Sequence, residues 1–202
     1  IRCCDSISFD GDSVPFVKEA YASKKWAFVS DYIRLYELYN YGGIYLDSDV
    51  EAYGNIDSWL KYDFFTGLET RTKAHDSFFI EGAIMGCNKG NSFIKECLDV
   101  YTSKHFIVDG EMDLTPIPTI LSPIAEKTLG WVPKDETQEL KDNSIIFSTE
   151  FIANSNCVRG SNLKLYHWNN RSWMPLSKKA KFFRFLKNIG LKELLMRFKL
   201  LR

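Results

Sequence analysis

A chain of 202 residues is long enough for one α/β domain with a substantial core and too short for two comfortable ones. Its 45% hydrophobic and 15% aromatic content excludes an intrinsically disordered chain. Net charge is zero but segregated: residues 178–202 hold nine Lys/Arg against Glu193, leaving 17 basic and 25 acidic residues in 1–177, so a body near −8 precedes a tail near +8.

The five cysteines, Cys3, Cys4, Cys87, Cys97 and Cys157, are odd in number and lack a zinc-like spacing, so free thiols in a reducing compartment are expected. No run approaches the roughly 18 apolar residues of a membrane span and no signal peptide is recognisable, which predicts a soluble, cytoplasmic chain. It begins with Ile1, and residues upstream are expected to be missing.

In chain order, residues 1–13 read as a loop marked by Gly11 and Asp12. A helix is expected over 14–22, with Ser13 as N-cap and Pro15 in its first turn. The strongest helical pattern runs from Trp26 to Tyr41, with Val29, Ile33, Tyr36 and Tyr39 at helical spacing and Gly42-Gly43 as its stop. Ile44-Tyr45-Leu46 then reads as a buried strand leading into Asp47-Ser48-Asp49. Further strands are expected over 63–69 and 82–87, a helix over 91–105 using Phe93, Ile94, Cys97, Leu98 and Tyr101, and a loop over 109–118. A helix near 119–129 and strands near 144–147 and 163–166 complete an α/β domain over 1–177.

On an extended segment Asp47 and Asp49 face the same side, and two crowded carboxylates repel unless a cation lies between them. Oxygen ligands favour Mg²⁺ or Mn²⁺, with water and substrate phosphates completing the shell. A lone Asp-x-Asp is weak evidence, but one at the carboxyl end of a strand lies where open α/β sheets place their ligands. The preceding helix carries Ser30, Asp31 and Arg34 within one turn of each other. Asp31 and Arg34 read equally as site residues or as a surface ion pair of about 0.3–0.5 kcal/mol.

The run Ala27-Phe28-Val29-Ser30-Asp31-Tyr32-Ile33-Arg34, then Leu38 and Gly42-Gly43-Ile44-Tyr45-Leu46-Asp47-Ser48-Asp49-Val50, resembles the signature of the DXD-containing glycosyltransferases. The resemblance points to the group of the yeast initiating α-1,6-mannosyltransferase and bacterial capsular polysaccharide transferases, related to the clostridial glucosylating toxins. It extends more weakly to Phe64–Glu69, Ala83–Gly86 with Lys89–Asn91, Asp113–Pro116, His167-Trp168 and Ser172-Trp173.

The resemblance implies a GT-A sandwich with a mixed central sheet, lacking here the first strand that cradles the nucleotide base. It implies transfer from a UDP- or GDP-sugar with retention at the anomeric carbon, to a glycan or lipid-linked acceptor in surface polysaccharide synthesis. Asp49 would ligate Mn²⁺ or Mg²⁺, with His167 as a late ligand. Asp47 would contact ribose or donor sugar, Asp31 and Arg34 donor hydroxyls, and Ser30 the ribose. Trp168 or Trp173 would close over the donor, although Trp173 reads equally as core. Glu69 is either an orienting or a solvated acid, and His75 and His105 read as structural.

The basic stretch 178–202 interleaves Phe182, Phe183, Leu186, Ile189, Leu194, Leu195 and Phe198 with its cations, which favours an amphipathic helix on an anionic membrane. Such a stretch could instead bind nucleic acid or pack on the body; of these, a nucleic-acid partner is not expected. Rival readings are a non-catalytic nucleotide-sugar binder and a metal-dependent phosphohydrolase.

Overall fold

The computed structural model describes residues 13–70 and 78–169. The expectations placed on Cys3, Cys4, His75, Trp173, the missing first strand and the helix over 178–202 lie outside them. Among the described residues the helices are α1 (Pro15–Ala22), α2 (Trp26–Tyr41), α3 (Ser92–Thr102) and α4 (Ile117–Thr128). The strands are β1 (Gly43–Leu46), β2 (Val50–Ala52), β3 (Phe64–Thr70), β4 (Phe78–Cys87), β5 (Ile107–Val108), β6 (Glu111–Met112), β7 (Gln138–Leu140), β8 (Ser144–Ile146), β9 (Ile152–Asn154) and β10 (Leu165–His167).

A mixed five-stranded sheet has the order β1-β4-β3-β8-β7, in which β3 and β8 run parallel and the other pairs antiparallel. A second sheet, β2-β10-β9, joins an antiparallel to a parallel pair. Strand β3 is buried along nearly its whole length because both faces are covered. Phe64 and Leu68 pack into the helical core with Phe16, Leu35, Ile80, Met85 and Phe93. Phe65 points the other way, into a cluster with Trp59, Ile84, Phe147, Ile152 and Leu165 beneath the second sheet. The result is a mixed α/β arrangement with a mixed sheet, compatible with a GT-A-like fold.

Several local readings are corrected. Helix α1 is capped by Val14 without a side-chain hydrogen bond, so Ser13 is not its N-cap. The stripe that α2 buries most deeply is Phe28, Tyr32, Leu35 and Leu38, while Ile33, Tyr36 and Tyr39 are only partly buried. Both sets satisfy a 3.6-residue period, and packing chooses between them. Gly42 does end the helix, at φ 68°, and a Cβ there would meet the Lys89 nitrogen at 2.6 Å. The largest departure is β1, which among the described residues lies at the sheet edge and leaves Ile44 41% and Leu46 45% exposed rather than buried.

The expected 109–118 loop contains most of a hairpin and the start of α4. Asp109 and Gly110 take positive φ between β5 and β6, as a two-residue hairpin turn requires. Strands β2, β7 and β9, three residues each, were not anticipated, and β4 begins four residues earlier than expected. Asn91 caps α3 by accepting from the Ile94 N–H. Cys87, Cys97 and Cys157 are free thiols. Among the described residues no helix is long and apolar enough to cross a membrane.

Candidate metal centre

Three segments converge on Asp47 and Asp49. The Asp47 N–H donates to Ala83 O at 2.9 Å, carrying the β1–β4 pairing one residue further, and the Val50 N–H then donates back to Asp47 O at 3.0 Å. Residues 47–50 are therefore a hydrogen-bonded turn rather than the extended segment expected, and the turn hands the chain from the first sheet to the second. In the second sheet Val50 pairs with His167, and Trp168 N–H donates to Asp49 O at 3.0 Å. Sequence-distant His167 is thereby set beside Asp49, with Nε2 3.4 Å from Asp49 Oδ1. One ligand atom from each of Asp47, Asp49 and His167 lies within 4.8 Å of the others, and all three residues are half-buried.

The irregularity that makes room for this lies in β4. Its pairing with β3 steps from Thr66↔Met85 to Leu68↔Ile80, so residues 81–84 bulge opposite Gly67. The Thr66 hydroxyl sits 2.9 Å from Glu81 O and 2.7 Å from Ile84 O, tying down both ends. Consecutive bulge residues then serve three segments: the Glu81 carboxylate faces His167, Gly82 O accepts from Arg34, and Ala83 O accepts from Asp47. Bulges recur beside functional sites because they re-aim individual groups out of a regular ladder. A side chain at Gly82 would have to displace Ile117, whose Cγ2 a Cβ would meet at 2.7 Å.

The helical trio forms a second, drier cluster. Asp31 and Arg34 are 7% and 5% exposed, which removes the reading of a surface pair. Every guanidinium nitrogen of Arg34 has an acceptor: Nε donates to Ser30 O at 3.2 Å, one terminal nitrogen to Gly82 O at 2.6 Å, and the other to Ser30 Oγ at 3.1 Å. That last nitrogen also lies 3.1 Å from Asp31 Oδ1 and 3.5 Å from Asp47 Oδ1. The Ser30 hydroxyl donates to Ala27 O at 2.6 Å. Tyr45 stacks under the guanidinium at 4.7 Å and donates its hydroxyl to Asp47 Oδ1 at 2.5 Å.

Burial pushes Asp31 up to about 7, against the opposing pull of Arg34. Burial also works against the charge on Arg34, but Asp31, then Tyr45 and Asp47, hold it protonated. Desolvation would lower His167, yet Glu81 foremost, with Asp49 and Asp47, lifts it to about 9. Burial would raise Glu81, and His167 with the Ala83 N–H outweighs it, leaving this carboxylate below its usual range.

Of the other expected site residues, Trp168 is exposed and donates its indole N–H to Glu51 Oε2 at 3.1 Å, with the Arg159 guanidinium 4.7 Å over its ring. Glu69 is half-buried on β3 and is not among the three possible metal ligands. His105 pairs with Glu19 at 2.7 Å, in keeping with its structural reading. Sequence reasoning passed over Tyr45, Glu81 and Gly82. An acid inside the apolar run Phe78–Cys87 was the available signal for Glu81, since a buried carboxylate needs a specific partner.

Two carboxylates and one imidazole offer a mixed oxygen and nitrogen donor set with coordination positions to spare, which fits a divalent cation that also binds phosphate oxygens. Two comparisons place the chain among known sequences, and the first bears on this arrangement. Residues 4–66 match the family model described as a glycosyltransferase sugar-binding region containing a DXD motif. The uncharacterized protein At4g19900 of Arabidopsis thaliana is 38% identical over 72 residues, covering 36% of this chain and 10% of that protein. The chain thus spans about a tenth of that relative's length. The family match supports the broad class of DXD glycosyltransferases for the segment that carries Ser30 to Asp49.

Proposed function

We propose that this chain binds a nucleotide-sugar donor through a divalent cation and transfers the sugar to an acceptor, as a retaining glycosyltransferase. The observation that carries this reading is the convergence of Asp47, Asp49 and His167 from a tight turn and a separate sheet.

When bound, a Mn²⁺ or Mg²⁺ ion supplies positive charge against the departing nucleoside diphosphate. Asp49 and His167 would hold it. Asp47, fixed by Tyr45 and the Arg34 charge, would be set at the boundary between ion and donor. Asp31 and Ser30 would face the donor from behind Arg34, and the exposed Trp168, or Trp173, would cover it and exclude water. None of these side chains is arranged as a separate nucleophile, so acceptor deprotonation is assigned to the donor diphosphate itself. A UDP- or GDP-sugar as donor, a glycan or lipid-linked acceptor of surface polysaccharide, and contact of 178–202 with an anionic membrane face complete the proposal.

The test is hydrolysis and transfer with a panel of UDP- and GDP-sugars, with and without Mn²⁺, alongside calorimetric titration of the same donors. Metal-dependent product supports the enzyme. Metal-dependent binding without product replaces it with a nucleotide-sugar-binding module, release of phosphate from simple phosphate esters replaces it with a phosphohydrolase, and no binding removes the site altogether.

A further inference from the structure

Glu81 is the most deeply placed acid near the site, 2% exposed on a strand otherwise lined with apolar and small residues. Its two oxygens have different tasks. Oε1 accepts the backbone N–H of Ala83 at 2.9 Å, and Oε2 lies 3.4 Å from His167 Nδ1. The opposite ring nitrogen, Nε2, lies 3.4 Å from Asp49 Oδ1. The imidazole therefore stands between a carboxylate behind it and the candidate ligand carboxylates in front.

Which nitrogen of a histidine is free to ligate is set by what the other one donates to. A carboxylate can only accept, so Glu81 requires Nδ1 to carry hydrogen, and in the neutral ring the lone pair is then at Nε2, on the side of Asp49 and Asp47. The bulge fixes the carboxylate itself: the Thr66 hydroxyl ties Glu81 O and Ile84 O, and Ala83 N–H turns one carboxylate oxygen away from the ring. We infer that Glu81 is a positioning residue that holds His167 in the orientation and tautomer in which Nε2 can ligate a divalent cation. This rests on the metal reading proposed above.

Substitution by glutamine separates this role from simple packing. The amide would fill the same space, but Ala83 N–H can be met only by its oxygen, so its NH₂ must face Nδ1. His167 would then accept at Nδ1 and carry hydrogen at Nε2, closed to metal. Packing alone would make Glu81→Gln the mildest change; tautomer control makes it at least as harmful as Glu81→Ala.

The experiment measures Mn²⁺ affinity by calorimetry for the unsubstituted chain, Glu81→Gln, Glu81→Ala, His167→Ala and the Glu81→Gln/His167→Ala double variant, with thermal midpoints alongside. It adds ¹⁵N spectra of His167 in saturating Mg²⁺. The expected result is a loss of about 10–100-fold in Mn²⁺ affinity for Glu81→Gln. It is accompanied by a move of the ring hydrogen from Nδ1 to Nε2, and by no further loss when the substitution is added to His167→Ala. Unchanged affinity in Glu81→Gln, or an equal loss with and without His167, overturns the inference while leaving the metal site standing. Failure of the unsubstituted chain to bind Mn²⁺ removes the metal reading itself, and this inference with it.

Discussion

The two charged clusters sit side by side but are built to opposite ends. Around Ser30, Asp31 and Arg34 every guanidinium nitrogen has an acceptor and water is excluded. Around Asp47, Asp49 and His167 the side chains are only half-buried, with Tyr45 and Arg34 reaching Asp47 and His167 reaching Asp49. A dry cluster with its guanidinium fully paired is suited chiefly to holding its neighbours in place; a half-buried one at the edge of solvent can admit a cation. On the proposed function the first serves mainly as frame and the second as receptor, and the contact between Arg34 and Asp47 joins them.

The comparison breaks most visibly at Arg34. Replacing it with alanine leaves Asp31, Gly82 O and Ser30 without their shared partner, and losing one member of a buried charged pair costs about 3–5 kcal/mol. A large fall in urea midpoint is expected; a variant as stable as the original that had lost only donor affinity would move Arg34 from frame to receptor. Asp49→Ala should do the reverse, lowering Mn²⁺ affinity by about 100-fold, or some 2.7 kcal/mol, while the thermal midpoint of the metal-free chain changes little. Equal Mn²⁺ affinity in the two proteins would take Asp49 out of the ligand set.

Smaller effects sharpen the boundary between the clusters. Tyr45→Phe removes the hydroxyl that aims Asp47, and about a tenfold weakening of Mn²⁺ binding is expected by titration; no change would mean that Arg34 alone fixes Asp47. The least effect concerns pH. Asp31 is raised in the folded state from 3.8 to about 7, so its stabilising contribution is full below about pH 3.8 and is lost as pH rises through 7. Asp31→Asn, which mimics the protonated form, should flatten the dependence of unfolding free energy on pH between about 4 and 7. An unaltered slope would show that Asp31 is ionised throughout and paired with Arg34.

What could be read from the sequence follows from how local each signal was. Helix α2 with its Gly42-Gly43 stop and the Asp47-Ser48-Asp49 cluster were legible because spacing or a motif announces them within a few residues, whereas His167 was reached only through the family resemblance. The edge position of β1 was not, since Ile44-Tyr45-Leu46 has the same composition whether one or both sides are covered. The turn at Asp47–Val50 was hidden as well: Ser48 between two acids suits a strand end and a turn equally. Glu81 escaped because its partner lies 86 residues away, and only the register of β2 with β10 brings them together. The β5–β6 hairpin was legible from Asp109-Gly110 and was simply read as loop.

The bulge in β4 also dictates where this protein can change length. Because residues 81–83 align three otherwise independent parts, inserting or deleting one residue between Ile80 and Met85 would shift all three alignments by a step and turn alternate side chains to the wrong face of the sheet. The exposed stretches at 132–136 and 158–162 make side-chain contacts, such as Asp135 with Thr149 and Arg159 over Trp168, but set no strand register. Among natural and engineered variants, insertions and deletions should therefore gather in those two connections and avoid this stretch of strand, even though the strand itself never reaches the surface where the chemistry would occur.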